Sequence, residues 1–465
     1  MLTTSCAPSL ESNPPRDASK AVPNTFAGAQ VSSAAASGAP NAAQKTWNEF
    51  FDDPDLQSLI AAALKNNQEL NIRLQEIMIA KAEVLGRTGE YLPHVDAQVG
   101  AGIERVGEHT RFGVLDSKNG VPQHLQGYGF GFRASWEVDI WKKLRNAAKA
   151  ANLRYLATVE GRNFMITQLV AEVAASYYEL MALDNQLDVL KSNIEIQQHA
   201  LEMVKFQKEA ARATELAVQR FEAEVLKNQS RQYKLEQERI EAENRINFLL
   251  ARPPQPVKRN SEKFNQPLPE VVGAGIPSEL LDNRPDVRAA ELELEASKLD
   301  VKSAKASFYP SLKLDAGVGY ESFNIKHLVA TPASIAYNIA GNLVAPLLNR
   351  RGIKAQYYAA NAQQLQAVFH YEQTVLKAFT EVVNTLARAD NLKKGYDLQS
   401  QQVDKLVQSI EISTILFQSA RADYMEVLLT RRDSLEAQME LIETKNRQLQ
   451  AIVSIYQSLG GGWKL

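Results

Sequence analysis

Histidine and cysteine are the residues of this chain that would coordinate a transition metal or act as a nucleophile. The six histidines are scattered, without the short helical spacing that brings two imidazoles onto one ion, and stand at positions 94, 109, 124, 199, 327 and 370. The single cysteine, Cys6, allows neither an intramolecular disulfide nor a thiolate cluster. No convergent catalytic motif accompanies them, so we expect neither an enzyme nor a bound cofactor.

Composition narrows the class of protein further. A chain of 465 residues with 45% hydrophobic content can bury a large core, and its formal net charge of −2 provides no basic surplus for nucleic acid. No apolar run approaches the roughly 18 residues that a membrane-spanning helix needs. If this chain crosses a membrane, it does so with strands.

The sequence contains itself twice. Tyr91-Leu92-Pro93 matches Phe308-Tyr309-Pro310 at an offset of about 217 residues, and Ala211-Arg212-Ala213 matches Ala420-Arg421-Ala422 at an offset of about 209. We therefore predict two structural repeats of one design, over residues 45–252 and 277–459, joined by a linker over residues 253–276.

Each repeat contains two segments with the period-two alternation of β-strands, near residues 93–104, 127–137, 310–321 and 334–345. Aromatic and aliphatic residues occupy one face, and glycine or charged residues occupy the other. This pattern suits a membrane barrel, with a half-buried sheet of a soluble protein as the alternative. We interpret six aromatic residues as anchors at the membrane interface: Tyr128, Phe130, Phe132, Trp136, Tyr320 and Tyr337.

Four strands cannot close a barrel, and an open edge in lipid leaves unpaired backbone groups at a cost of several kcal/mol each. The chain must therefore combine its strands with those of other copies. Two copies would give eight strands around a filled interior, whereas three would give twelve strands around a water-filled pore.

Long helices are predicted between the strands. Residues 162–252 and 396–459 contain neither proline nor glycine. A heptad seam runs through Ile166, Val173, Leu180, Leu187, Ile194 and Leu201, with Leu169, Leu183, Leu190 and Val204 three positions later, and recurs in Val375, Val382, Ala389, Tyr396, Val403 and Ile410. A helix over residues 146–210 would be about 100 Å long. The chain would reverse near residues 210–214 and 419–424, where Thr214 and Asp423 are expected to cap the returning helices.

Four spaced motifs carry a resemblance to a known family. They are Ile276-Pro277-Ser278-Glu279-Leu280-Leu281-Asp282-Asn283-Arg284-Pro285-Asp286-Val287, Ala304-Lys305-Ala306-Ser307-Phe308-Tyr309-Pro310, Trp136-Glu137-Val138-Asp139 and Leu459-Gly460-Gly461-Gly462-Trp463. Over residues 46–463 the chain resembles the TolC-like outer-membrane efflux factors, and within them the NodT-type lipoproteins of resistance-nodulation-division pumps. We interpret Asn283-Arg284-Pro285-Asp286 as the start of a helix, with proline in its first turn. We interpret the terminal glycines as part of a flexible tail over residues 460–465.

The resemblance implies a mainly α-helical homotrimer with a twelve-stranded barrel in outer-membrane lipid and a helical tunnel in the periplasm. It implies passive conduction of drugs or other small molecules, with a periplasmic adaptor (membrane fusion) protein and an inner-membrane transporter opening the tunnel. A type I protein-secretion outlet is the main alternative. A non-channel coiled-coil envelope protein would explain the helices but not the aromatic strands.

The resemblance also assigns the periplasmic tip. Aligning Tyr424 with the family's tip tyrosine places Asp423 beside it, as part of an acidic ring that would attract cations. Arg212 and Arg421 would pair with acidic neighbours and hold the tip shut, and the alternative is that these are solvated turn residues. The tip turns depart from the family, because its usual glycine is replaced by Ala210 or Ala211 in the first turn and by Ala420 in the second.

The N-terminus resembles a lipoprotein start. Cys6 follows Thr3-Thr4-Ser5 where a lipid-accepting cysteine would end a signal peptide, although the hydrophobic core of such a peptide is missing. We expect a start codon further upstream and acylation of Cys6. Residues 1–44, rich in Ser, Ala, Pro and Asn, are predicted to form a flexible lipid-anchored tether.

Overall fold

A computed structural model describes residues 7–10, 14–23, 26, 42–266, 277–348, 350–419 and 421–464. The chain divides into two compact units. The first contains the described residues of Met1–Ala18, Ile77–Thr158 and Ala290–Tyr371, and the second those of Ser19–Glu76, Val159–Ala289 and Glu372–Leu465.

The elements follow the predicted duplication. The first half contains α1 Trp47–Phe50, α2 Pro54–Asn66, α3 Gln68–Glu90, β1 His94–Glu104, α4 Arg111–Lys118, β2 Leu125–Val138, α5 Lys143–Glu209 and α6 Glu215–Leu249. The second contains α7 Glu279–Asn283, α8 Pro285–Ala306, β3 Ser311–Ser322, β4 Ile335–Val344, α9 Arg351–Gln418 and α10 Tyr424–Ser458. The prediction of a mainly helical chain with four strands is confirmed.

The four strands form one antiparallel sheet in the order β1-β2-β3-β4. Register places Phe130 of β2 opposite Val99 of β1 and Tyr320 of β3. Val318 of β3 in turn lies opposite Tyr337 of β4. Because side chains alternate between faces, this register places the predicted apolar positions of the four strands on one face.

The heptad seam forms the core of the second unit. All ten predicted apolar positions of α5, from Ile166 to Val204, are buried. In the second repeat, Val375 and Val382 are buried, while the next four positions of the seam are only half-buried: Ala389, Tyr396, Val403 and Ile410. The chain's own helices therefore cover the first seam fully and the second seam in part.

The described part of the linker packs tightly in the second unit. Arg259 donates to Asp184 of α5 at 2.9 Å and to Glu243 of α6 at 2.6 Å. Burial opposes ionisation of Asp184, but the hydrogen bonds from Arg259 and Ser261 outweigh it and lower the pKa of that carboxyl. This cluster ties the linker to both helices of the first hairpin.

The flexible C-terminal tail predicted from the sequence is wrong for residues 460–462. These glycines are buried, and Gly460 and Gly461 donate their N–H groups to Gln457 and Tyr456, ending α10. Gly460 has φ of +86°, and a β-carbon there would lie 2.6 Å from the carbonyl oxygen of Asn283. The glycines are needed for this turn and for close packing.

The N-terminal segment also differs from a flexible tether in its described part. Gln364 of α9 donates to the carbonyl of Arg16 at 2.9 Å in the first unit. In the second unit, the Ser19 N–H donates to Glu372 at 3.0 Å, and Phe26 stacks on Phe379 at 5.6 Å. These contacts hold the segment against α9. Cys6 lies outside the described residues.

Candidate functional site: a two-faced sheet and two tip turns

The apolar face of the sheet is built from side chains of all four strands. It contains five of the six predicted interface aromatics in an unbroken surface: Tyr128, Phe130 and Phe132 of β2, Tyr320 of β3 and Tyr337 of β4. Phe130 and Tyr320 stack with ring centroids 5.3 Å apart. Val99 is 89% exposed and Tyr337 is 82% exposed, as is usual for a face that contacts hydrocarbon rather than water.

Trp136, the sixth aromatic, lies on the same face toward the end of β2. It is half-buried, and its indole N–H donates to the carbonyl of Tyr91 at 3.0 Å. An indole with an apolar body and a satisfied polar edge suits the boundary between lipid and water.

The opposite face is polar, and its central part has few side chains because glycine is frequent there. Charged residues stand toward its ends, and Arg133 approaches Asp315 to 3.8 Å. The central part carries glycines at positions 100, 102, 127, 129, 131, 317 and 319. Gly131 and Gly319 lie opposite each other, and a β-carbon on either would approach the facing backbone to 2.4 or 2.3 Å. This pair permits a close backbone approach that no larger residue allows.

The two outer strands, β1 and β4, each have one edge without a partner strand among the residues that the structure describes. Unpaired backbone donors and acceptors in an apolar environment are costly, so both edges require partners if the apolar face contacts lipid.

The first tip turn lies between α5 and α6. Arg212 donates its N–H to the carbonyl of Gln207 at 2.7 Å, and Ala211 donates its N–H to the carbonyl of Lys208 at 2.9 Å. This pair of bonds commonly ends a helix, and glycine is the usual residue at the position that Ala211 occupies. Ala211 adopts φ of +55° here, so the turn forms without glycine. Thr214 caps α6 as predicted, accepting from the Ala217 N–H at 3.2 Å.

The second tip turn lies between α9 and α10. The Arg421 N–H donates to Leu416 at 2.9 Å, and Asp423 occupies the N-cap position. The predicted side-chain cap is wrong, because the Asp423 carboxylate accepts no hydrogen bond from α10. Asp423 has nearly the same extended backbone as Thr214, so the difference lies in the side chain, and Asp423 is exposed. Ala420 lies outside the described residues.

Tyr424 packs against the first hairpin in the single chain. Its ring centroid lies 6.5 Å from that of Phe221, beside a buried cluster that includes Leu201, Val204 and Val218. This contact makes Tyr424 a bridge between the two hairpins near the tip.

An ion pair between Lys208 and Glu215 closes the first turn, and sequence reasoning missed it. The hydrogen bond from Lys208 lowers the pKa of the Glu215 carboxyl. The sequence offered a sign of this ion pair, because the two opposite charges flank the predicted chain reversal. Among the residues that the structure describes, neither Arg212 nor Arg421 forms an ion pair within the chain.

Comparison with known proteins decides the family. A family model described as "Outer membrane efflux protein" matches residues 59–252 and 276–461. The chain belongs to the outer membrane efflux protein family. This membership confirms the predicted function class, an efflux channel component, and its location in the outer membrane.

Relatives of this outer membrane efflux protein align over nearly its whole length. The "Pyoverdine export outer membrane protein OpmQ" of Pseudomonas aeruginosa is 28% identical over 420 residues, covering 90% of this chain and 88% of that protein. The "Probable outer membrane lipoprotein SilC" of Salmonella typhimurium is 27% identical over 91% of this chain and 90% of its own.

The fold agrees with that of a solved channel. The Neisseria gonorrhoeae MtrE outer membrane channel in its open state superposes with a TM-score of 0.83. Its sequence is 24% identical, and the match covers 97% of this chain and 98% of that one. Among the described residues of this chain, no helix is long and apolar enough to span a membrane.

Proposed function

We propose that three copies of the chain combine their sheets into a twelve-stranded barrel and their long helices into a tunnel. Drugs or other small molecules pass through it passively from the periplasm to the exterior. A periplasmic adaptor protein and an inner-membrane resistance-nodulation-division transporter open it. Acylated Cys6 anchors each copy in the membrane.

The two-faced sheet with free edges is the observation that carries this proposal. In an antiparallel sheet of four strands, β1 and β4 run in opposite directions, so β4 of one copy can continue antiparallel into β1 of the next. An eight-stranded barrel is filled by its interior side chains, which the glycine-rich polar face does not supply. A barrel of twelve strands has a wider interior, in which that face would line a water-filled pore.

The second helical seam supports association as well. Four of its positions are only half-buried in the single chain, and α9 also exposes large apolar side chains, including Leu376, Leu398 and Ile412 at 66%, 69% and 59%. Neighbouring copies that pack helix against helix would cover this surface.

We further propose that the chain performs no chemistry itself. Among the residues that the structure describes, no group of three or more His, Cys, Asp or Glu side chains is placed to hold a metal ion. The role of such a protein is to enclose a water-filled path.

The native mass of the protein, extracted in mild detergent from separated outer membranes, tests the assembly. We expect three chains, each heavier by a lipid that Cys6→Ala removes. A lipid-free trimer would favour the type I secretion outlet instead. A soluble monomer or dimer would refute the channel and favour the coiled-coil envelope protein.

Asp423 is proposed to make the tip cation-selective. In a trimer it recurs three times around the axis, and its carboxylate is exposed. Thr214 occupies the same place in the first repeat and caps its helix, so Asp423→Thr removes the charge and retains a residue that suits the turn. We expect the reversal potential of single channels in a salt gradient to move toward zero, with unchanged trimer yield.

The matched control is Glu443→Gln, which removes one exposed carboxylate from α10 away from the tip. An unchanged reversal potential in Asp423→Thr would refute the acidic ring.

We also propose that Arg212 and Arg421 pair with carboxylates of neighbouring copies to keep the tip closed. Both side chains are exposed, and neither forms an ion pair within the described part of the chain.

A further inference from the structure

Exposed apolar side chains mark the two places where a strand leads into a long helix. Ile140 and Trp141, between β2 and α5, are 51% and 48% exposed. Leu347 and Leu348, between β4 and α9, are 75% and 90% exposed. We name these four residues, together with Tyr309, the junction collar.

The β2–α5 junction of the collar contacts Tyr309 and shares a pocket with Pro346, the residue before Leu347. Trp141 stacks on Tyr309 with ring centroids 4.7 Å apart and donates its indole N–H to the carbonyl of Pro310 at 2.9 Å. Trp141, Tyr309 and Pro346 line one pocket of about 190 Å³, which joins the β2–α5 junction to the β4–α9 junction. The paired residues Val138, Leu312 and Leu343 form the adjoining row of the apolar sheet face. The collar therefore extends the surface assigned to lipid.

Basic residues follow the collar on the helix side. Lys142, Arg145 and Arg351 are exposed. Within the described part of the chain, none of the three forms an ion pair. Cations without a carboxylate partner, beside apolar side chains, complement a molecule with an anionic head and an apolar tail.

Lys142 provides a separate observation. Its φ is +59°, in the left-handed region where an L side chain is disfavoured and glycine is not. A strained residue of this kind is a reason to look for a function of its side chain. Glycine would relieve the strain but would remove the cation.

We propose that the junction collar binds anionic phospholipids of the periplasmic leaflet. Acyl chains lie on Ile140, Leu347 and Leu348, while Trp141 and Tyr309 occupy the interface. Lys142, Arg145 and Arg351 contact the phosphate. This inference rests on the proposed function, because it requires the sheet to span the membrane, and it adds a specific class of lipid at named residues.

Native mass spectrometry of the delipidated trimer with added phosphatidylglycerol tests the cations. We expect retained lipid adducts, and affinity roughly fivefold weaker for each cation removed in Lys142→Gly and Arg351→Gln, as is typical of a basic residue near an anionic surface. Lys142→Gly should not lower thermal stability, which separates lipid loss from misfolding. Lys149→Gln, an equal charge change further along α5, should bind like the parent protein.

Quenching of tryptophan fluorescence by brominated phosphatidylglycerol in nanodiscs tests the apolar part. We expect quenching that is strongest for bromine near the headgroup and that falls in Trp141→Phe. Unchanged lipid affinity in both cation variants, with normal trimers and conductance, would overturn the collar and leave the proposed function standing.

A second copy is the other possible occupant of the collar. In that case Trp141 would escape quenching and Arg351→Gln would dissociate trimers, which would also overturn the lipid assignment. Failure of the parent protein to form trimers that insert in membranes would overturn both proposals.

Discussion

Replacing Arg284 with methionine is expected to lower the free energy of unfolding by about 3 kcal/mol, the lower end of the cost of breaking a buried ion pair. The Arg284 side chain is only 4% exposed, forms ion pairs with Asp286 at 2.7 Å and Glu381 at 2.8 Å, and donates to the carbonyl of Ser458 at 3.0 Å. Burial opposes its charge, but the two carboxylates outweigh that effect and raise its pKa. Thermal unfolding in detergent, followed by circular dichroism, measures the loss.

Arg447 is the control for this substitution. It pairs with Glu443 at 3.0 Å, but its side chain is 61% exposed. Exposed pairs contribute less than about 1 kcal/mol, so Arg447→Met should unfold close to the parent protein. Equal midpoints for the two variants would show that the buried cluster around Arg284 does not stabilise the fold.

Gly461→Ala is expected to destabilise the protein by about 3 kcal/mol, near the upper end for overpacking a core. A β-carbon at this position would lie 2.3 Å from Cε2 and 2.6 Å from Cδ2 of Tyr456. The ring cannot move easily, because it is 1% exposed, stacks on Phe50 at 4.0 Å and donates its hydroxyl to the carbonyl of Lys45 at 2.8 Å. Burial raises the pKa of Tyr456, so the hydroxyl remains a donor.

Gly395→Ala provides a control of opposite sign. Gly395 lies inside α9, and a β-carbon there would meet no atom within 4 Å. Alanine should therefore stabilise this helix by up to about 1 kcal/mol. A thermal midpoint for Gly461→Ala at or above that of the parent protein would contradict the packing of the tail.

The strands were predictable because their signal is local. Alternation along β2 is a property of successive residues, and a period of two has one structural meaning over ten or more residues. The sequence nevertheless placed the limits of β2 at 127–137, whereas the strand extends over Leu125–Val138. Pairing with β1 and β3 sets those limits, and pairing partners are not visible in the strand itself.

The tip shows where local reasoning failed. Thr214 and Asp423 occupy equivalent N-cap positions and both residue types favour them, but only Thr214 makes the side-chain bond. Residue type therefore identified the position, while the side-chain conformation decided whether the cap formed. For Asp423 that conformation leaves the carboxylate exposed, which is what the proposed acidic ring requires.

By itself, the sequence determined the duplication, the four strands and the buried seam from Ile166 to Val204. Periods of two and seven residues follow from the regular backbone geometry of strands and helices, so they can be recognised in consecutive residues. Only the tertiary structure decided the interior contacts of Arg284, Arg259 and Tyr456. Those contacts join residues 97, 75 and 411 positions apart, and no local pattern specifies which distant side chain meets which.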